Sequence, residues 1–195
     1  MKEFLQRHLL PLAPRTSFSH PQDPPELVHL DSPALDVMTD FELVRPITIT
    51  PDTTISRALE RMKKAGVRLL LVTDERDEII GMITAYDIQG EKPIKYAEEY
   101  RVENSALTVR MIMTPLDQIQ VLNMLSVRDS QVGHIIETLR ELEQQHVLAV
   151  EIDDVGQQRV RGLFSASQIS KYLGRDIFEA EHVAHSLAEM VSETV

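Results

Sequence analysis

The sequence predicts an α+β fold made from two copies of one unit, ordered strand, helix, strand, strand, helix, and three observations carry that expectation. Short segments recur: Val37, Met38, Thr39 returns as Ile112, Met113, Thr114, and Gly81, Met82, Ile83, Thr84 returns as Gly162, Leu163, Phe164, Ser165. Each copy holds two apolar runs around a polar turn, Leu69 to Val72 with Ile79 to Ile83, and Val147 to Ile152 with Val160 to Phe164, which is a hairpin pattern. Ahead of each hairpin the apolar residues fall at three-and-four spacing: Ile55, Ala58, Leu59 and Met62 in the first copy, Val132, Ile135, Ile136, Leu139 and Leu142 in the second.

The elements follow in order. Ile47 to Thr50 reads as a short strand closed by Pro51 and Asp52, and its counterpart in the second copy is Leu122 to Val127, closed by Arg128 and Asp129. Gly66 is a plausible cap for the first helix. Thr84 precedes Asp87 by three residues, a capping-box spacing that turns the last strand into a helix start, where unpaired N–H groups favour an anion. Ser165 and Gln168 repeat that spacing. Gly90 ends the first copy, and Pro93 to Asn104 reads as a short connecting helix. Before the repeat, residues 11 to 33 hold six of the ten prolines, which predicts an arm with Leu27, Val28 and Leu30 available to dock. After it, Ile177, Ala180, Ala184, Leu187 and Val191 form the apolar stripe of a C-terminal helix. The expected division is arm 1–33, first unit 34–92, connection 93–108, second unit 109–174 and terminal helix 175–195. Units this small bury little alone, so the copies are expected to pack on each other.

Composition narrows function. With 43% hydrophobic and 26% charged residues among 195, the chain is a globular one. It has no cysteine, which removes disulfides, thiolate nucleophiles and Cys-ligated zinc and is compatible with a reducing compartment; the expected location is cytoplasmic. No window approaches the roughly 20 apolar residues of a membrane span, so no membrane association is expected. Twenty basic and 31 acidic side chains give a net charge of −11, which disfavours nucleic acid and means that any phosphate site needs locally placed cations. No Walker loop, nucleophile elbow or paired zinc-ligand motif is present, so no enzyme is expected and no metal, His182 and His185 being explained by a solvated helix face.

In the order and spacing of its parts the repeat resembles a tandem pair of CBS domains, the Bateman module. The resemblance rests on the entry strands Asp36 to Thr39 and Arg110 to Pro115, the hairpin from Gly66 to Val72, and the signature Gly81 to Asp87. It implies two units packed sheet to sheet about a pseudo-twofold axis, with up to two clefts for an adenosine-containing ligand: AMP, ADP, ATP or S-adenosylmethionine. It assigns the ribose hydroxyls to Asp87, with Thr84 and Ile83 in the same signature, and phosphate to Arg68, with His146 near the matching place in the second copy. The adenine would lie along Met111 to Thr114, Met113 included, and Ser126. At the position of Asp87 the second copy has Gln168, whose neutral amide lacks the acceptor capacity of a carboxylate, so one competent cleft and one weak one are expected. Leu70 and Leu148 stand where the family often has proline. The implied function is a regulatory module, homodimeric, that signals occupancy to an unknown effector protein; the alternative is a ligand-free dimeric scaffold, and Thr84 with Asp87 serving only as a helix cap.

Overall fold

The computed structural model describes residues 28 to 178. Two four-stranded mixed sheets form the centre. In the first, β2 (Thr48–Ile49) lies parallel to β3 (Leu69–Thr73), which pairs antiparallel with β4 (Ile79–Thr84). In the second, β6 (Val121–Asn123) lies parallel to β7 (His146–Ile152), which pairs antiparallel with β8 (Gln158–Ser165).

The fourth strand of each sheet comes from the other half of the repeat. β1 (Thr39–Asp40) pairs with β8, and β5 (Thr114–Pro115) pairs with β4. The recurring glycine explains how. A Cβ at Gly81 would stand 2.7 Å from the Thr114 carbonyl oxygen and 2.9 Å from the Met113 sulfur; one at Gly162 would stand 2.9 Å from the Thr39 oxygen and 2.7 Å from the Met38 sulfur. Only a residue without a side chain lets the crossing strand and its methionine come so close. Arg161 anchors the first crossing by ion pairs to Asp40 and, at 2.8 Å, to Glu42.

Side-chain alternation distributes the core. Leu70 and Val72 of β3 pack under the first unit's helices, while Leu69 and Leu71 face the other sheet, clustering with Met82 of their own sheet and Leu148 of the other. A strand buried on both faces needs the unbroken apolar run that β3 has. The helices are α1 (Ile55–Ala65) and α2 (Ala85–Gln89) on the first unit, and α6 (Val132–Glu141) and α7 (Ala166–Leu173) on the second. Between the units run α3 (Lys92–Tyr100), with Pro93 in its first turn, and α4 (Val109–Ile112). Val132, Ile135, Ile136 and Leu139 are the buried face of α6, as their spacing predicts.

Three sequence expectations are corrected. The run Leu122 to Val127 is not one strand: β6 ends at Asn123, whose side chain accepts from the Leu125 N–H at 2.9 Å and starts α5 (Met124–Arg128). Met124 and Val127 are buried three residues apart, a helical period that the aliphatic content concealed. The entry segments are largely helical turns, Ala34–Val37 as 3-10 helix and Val109–Ile112 as α4, with strands of two residues after them. The end of the expected arm belongs to the fold. Val132 and Gly133 donate to the carbonyls of Ser32 and Leu30, each at 2.9 Å, and Val28 packs against the second core. Residues 107 and 109 dock on α1 in the same way. Of the expected terminal helix, Arg175 to Phe178 are described and are not helical; Ile177 is buried, and its carbonyl accepts from Arg140 at 2.7 Å. Residues 1–27 and 179–195 lie outside the described residues.

Candidate functional site

Both hairpins end in a helix start, and the two starts differ. In the first, the Asp87 N–H donates to Thr84 Oγ1 at 3.1 Å and the Thr84 N–H donates to Asp87 Oδ2 at 2.8 Å, the reciprocal pair that the spacing predicts. The Thr84 hydroxyl adds a bond to Oδ2 at 2.6 Å, and Lys92 Nζ of α3 reaches Oδ1 at 2.5 Å. Asp87 is 6% exposed. Both carboxylate oxygens are thus engaged by its own chain. A buried carboxylate requires a partner, and the connecting helix supplies one. Lys92 was not singled out in the sequence because its contact with Asp87 depends on where α3 docks.

At the second start, the expected capping box of Ser165 and Gln168 does not form. Ser165 Oγ pairs with Ser167 Oγ at 3.0 Å, and Gln168 Oε1 accepts from the Thr39 hydroxyl at 3.0 Å. The crossing of β1 to β8 brings Thr39 there. Beside this start opens a cleft of about 540 Å³ with walls from both units.

Its floor is apolar: Ile47, Leu69, Leu71 and Leu163. Phe41 and Tyr172 add aromatic surface, and Thr39, Ser165, Ser167 and Gln168 add hydroxyls and an amide. Arg45, Arg68 and Lys171 bring three cations, and no carboxylate of the described residues lines the space. Among the described residues none of the three cations has an ion-pair partner. In a chain of net charge −11 that is a local reversal of sign. Helical spacing places Lys171 and Tyr172 three and four residues after Gln168, a signal present in the sequence; Arg45, in the loop before β2, carried none.

His146 lines the same cleft. It is 7% exposed, and its Nδ1 is buried without a hydrogen-bond partner. Burial, and then the positive charge of Arg68, hold its pKa down to about 4, with Asp87 pulling the other way. A smaller hollow of about 370 Å³ adjoins, sharing Arg68, His146 and Ser167 and adding Tyr86, Gln89 and Gln145.

Of the residues nominated from the sequence, the cleft therefore gathers Arg68 and His146. Ile83 is fully buried in the first core, and Met113 is half-buried with its sulfur against Gly81. Ser126 is exposed on α5. Neither Thr84, Asp87, Met113 nor Ser126 borders this cleft. The register of the two hairpins places the counterpart of Arg68 next to His146. The Ala85 and Ala166 N–H groups donate to the carbonyls of Arg68 and Gln145, so Gln145 is the counterpart of Arg68. By the ladders Leu69↔Thr84 and His146↔Ser165, His146 matches Leu69, and Leu70 matches Val147 rather than Leu148.

Residues 23–91 match the family model described as the CBS domain. Over 69 residues the chain is 30% identical to inosine-5'-monophosphate dehydrogenase of Aquifex aeolicus; the aligned stretch is 34% of this chain and 14% of that protein's length. Among solved structures, it is similar to an uncharacterized conserved protein of Pyrococcus horikoshii, with a TM-score of 0.52, 19% identity, and coverage of 74% of this chain and 93% of that one. It is similar also to a CBS-domain containing protein of Agrobacterium tumefaciens, with a TM-score of 0.50, 18% identity, and coverage of 68% and 88%. What the solved structures share with it is the fold. The CBS-domain match covers the first unit, and the second unit repeats that unit's architecture, crossing strands included, so the fold is that of a tandem CBS pair.

Proposed function

We propose that this regulatory CBS pair binds an adenosine nucleotide, AMP, ADP or ATP, in the cleft between β8, α7 and the loop before β3. The observation that carries the reading is the set of three cations, Arg45, Arg68 and Lys171, around an apolar and aromatic floor, with no ion-pair partner and no lining carboxylate among the described residues. A base fits the floor, and a phosphate fits the cations. The hydroxyls of Thr39 and Ser165 and the amide of Gln168 line the same cleft and supply hydrogen-bonding groups of the kind a ribose needs. S-adenosylmethionine is disfavoured, because its sulfonium would enter a field of its own sign. Since both units supply walls, a ligand that prefers one angle between them shifts that angle, which is how occupancy would reach an effector protein or a second copy of the chain.

The scaffold reading keeps one observation in its favour: Asp87 and Gln168 are both hydrogen-bonded within the chain. A thermal-shift panel of AMP, ADP, ATP and S-adenosylmethionine separates the two. Ligand at 100 times its dissociation constant adds about 2.7 kcal/mol, a rise on the order of 5–10 °C for a chain of this length. We expect that rise with a nucleotide, at least a tenfold loss of affinity in Arg68→Gln, and less than a twofold change in Asp87→Asn. A panel flat for all four ligands supports the scaffold.

A further inference from the structure

His146 has an environment that the nucleotide reading alone does not explain, and the inference drawn from it rests on that reading. It opens β7, whose Val147 and Ala149 pack into the second core while Leu148 faces the other sheet. By alternation His146 shares the inter-sheet side with Leu148, at the wall common to the cleft and the adjoining hollow. A buried imidazole nitrogen without a partner is costly, and folded proteins rarely leave one so.

The charges around it are lopsided. Arg68 stands on the same wall, and Arg45 and Lys171 line the same cleft. The acid that acts on it, Asp87 of α2, is already paired with Lys92 of α3. Tyr86 and Tyr172 also border the two hollows. An empty cleft therefore disfavours a charged imidazole, both by burial and by its cations. A phosphate oxygen entering between those cations reverses the field at this ring.

We propose that His146 takes up a proton from solvent when the nucleotide's phosphate enters beside it, so that occupancy of this cleft is coupled to pH. The free imidazole holds its proton only below about pH 4. Wherever the complex is protonated and the free protein is not, affinity rises as pH falls, up to about tenfold per pH unit. Protonation of the nucleotide's own phosphate, near pH 6, works in the opposite sense and is common to any variant.

Isothermal titration of the full chain with ADP, at pH 7 and pH 6 in buffers of different ionisation enthalpy, counts the protons. Wild type is expected to take up as much as one proton more per ADP than His146→Gln, and its affinity advantage over that variant to grow about three- to tenfold from pH 7 to pH 6. Equal proton counts in two proteins that both bind ADP overturn the coupling and leave the nucleotide site standing. Absence of ADP binding by wild type overturns both. A second variant, His146→Leu, removes the orphaned nitrogen: it is expected to melt at or above the wild-type temperature at pH 7 while binding ADP more weakly. A lower melting temperature with unchanged ADP affinity marks a purely structural histidine and overturns the proposal.

Discussion

Asp87 and Gln168 occupy the same place in two copies of one unit, at the first turn of the helix after a hairpin, and they have met opposite fates. The carboxylate is buried, accepts two bonds from Thr84 and is neutralised by Lys92. The amide accepts one hydroxyl, from Thr39, and borders an open cleft whose cations remain unpaired. Charge accounts for the difference. A buried carboxylate must be compensated, and the nearest ammonium of its own chain has done so. A neutral amide draws no cation, and among the described residues Arg45, Arg68 and Lys171 have no ion-pair partner. The acidic side of the repeat is closed by its own chemistry, and the neutral side is left open.

That contrast can be broken at three places, beginning with the largest effect. The open side carries a buried neutral imidazole, and its pKa is held down to about 4 in the folded protein against the usual 6.5 unfolded. The unfolded chain therefore binds a proton that the native state refuses between those values. This contribution to stability is fully present above about pH 6.5 and is lost as the pH falls toward 4, about 3 kcal/mol in all. Urea unfolding at pH 7 and pH 4.5 measures it, and His146→Gln should flatten that part of the loss. If wild type and variant lose stability in parallel, the imidazole is not shielded as its surroundings require.

On the closed side, Lys92→Met leaves Asp87 with its capping bonds and no cation. Because Lys92 is itself 53% exposed, the cost is expected to be about 1–2 kcal/mol, below that of breaking a fully buried pair, and nucleotide affinity should not change. A neutral effect on stability would mean that the carboxylate does not depend on α3. The smallest effect belongs to the amide: Thr39→Val removes one neutral bond to Gln168 and should cost about 0.5–1 kcal/mol in chemical denaturation. A loss larger than that of Lys92→Met would invert the account of the two sides.

Much of this architecture can be read from the chain alone, because it depends on local chemistry. Apolar runs around polar turns make the hairpins, three-and-four spacing makes α1 and α6, and the step from Thr84 to Asp87 makes the reciprocal cap. Repetition of short segments identifies the two units. Where two local signals compete the reading fails, as it does after Asn123: an aliphatic stretch resembles a strand until the cap and the burial of Met124 and Val127 decide for helix. The arm misleads for another reason, since proline-rich sequence says nothing about the carbonyls of Leu30 and Ser32 that α6 uses.

The cleft depends on contacts that sequence order does not contain. Thr39 lies 129 positions from Gln168, and Arg161 lies 121 from Asp40, yet each pair bonds because the entry strands cross between sheets. Lys92 is only five positions from Asp87, but whether it closes on the carboxylate is settled by how α3 packs. The order of residues dictates periodicity, caps and the close approach at Gly81 and Gly162, all of them effects between near neighbours or between one residue and a strand. Which acid is silenced and which cations stay free is a matter of electrostatics among groups that meet only when two sheets face each other.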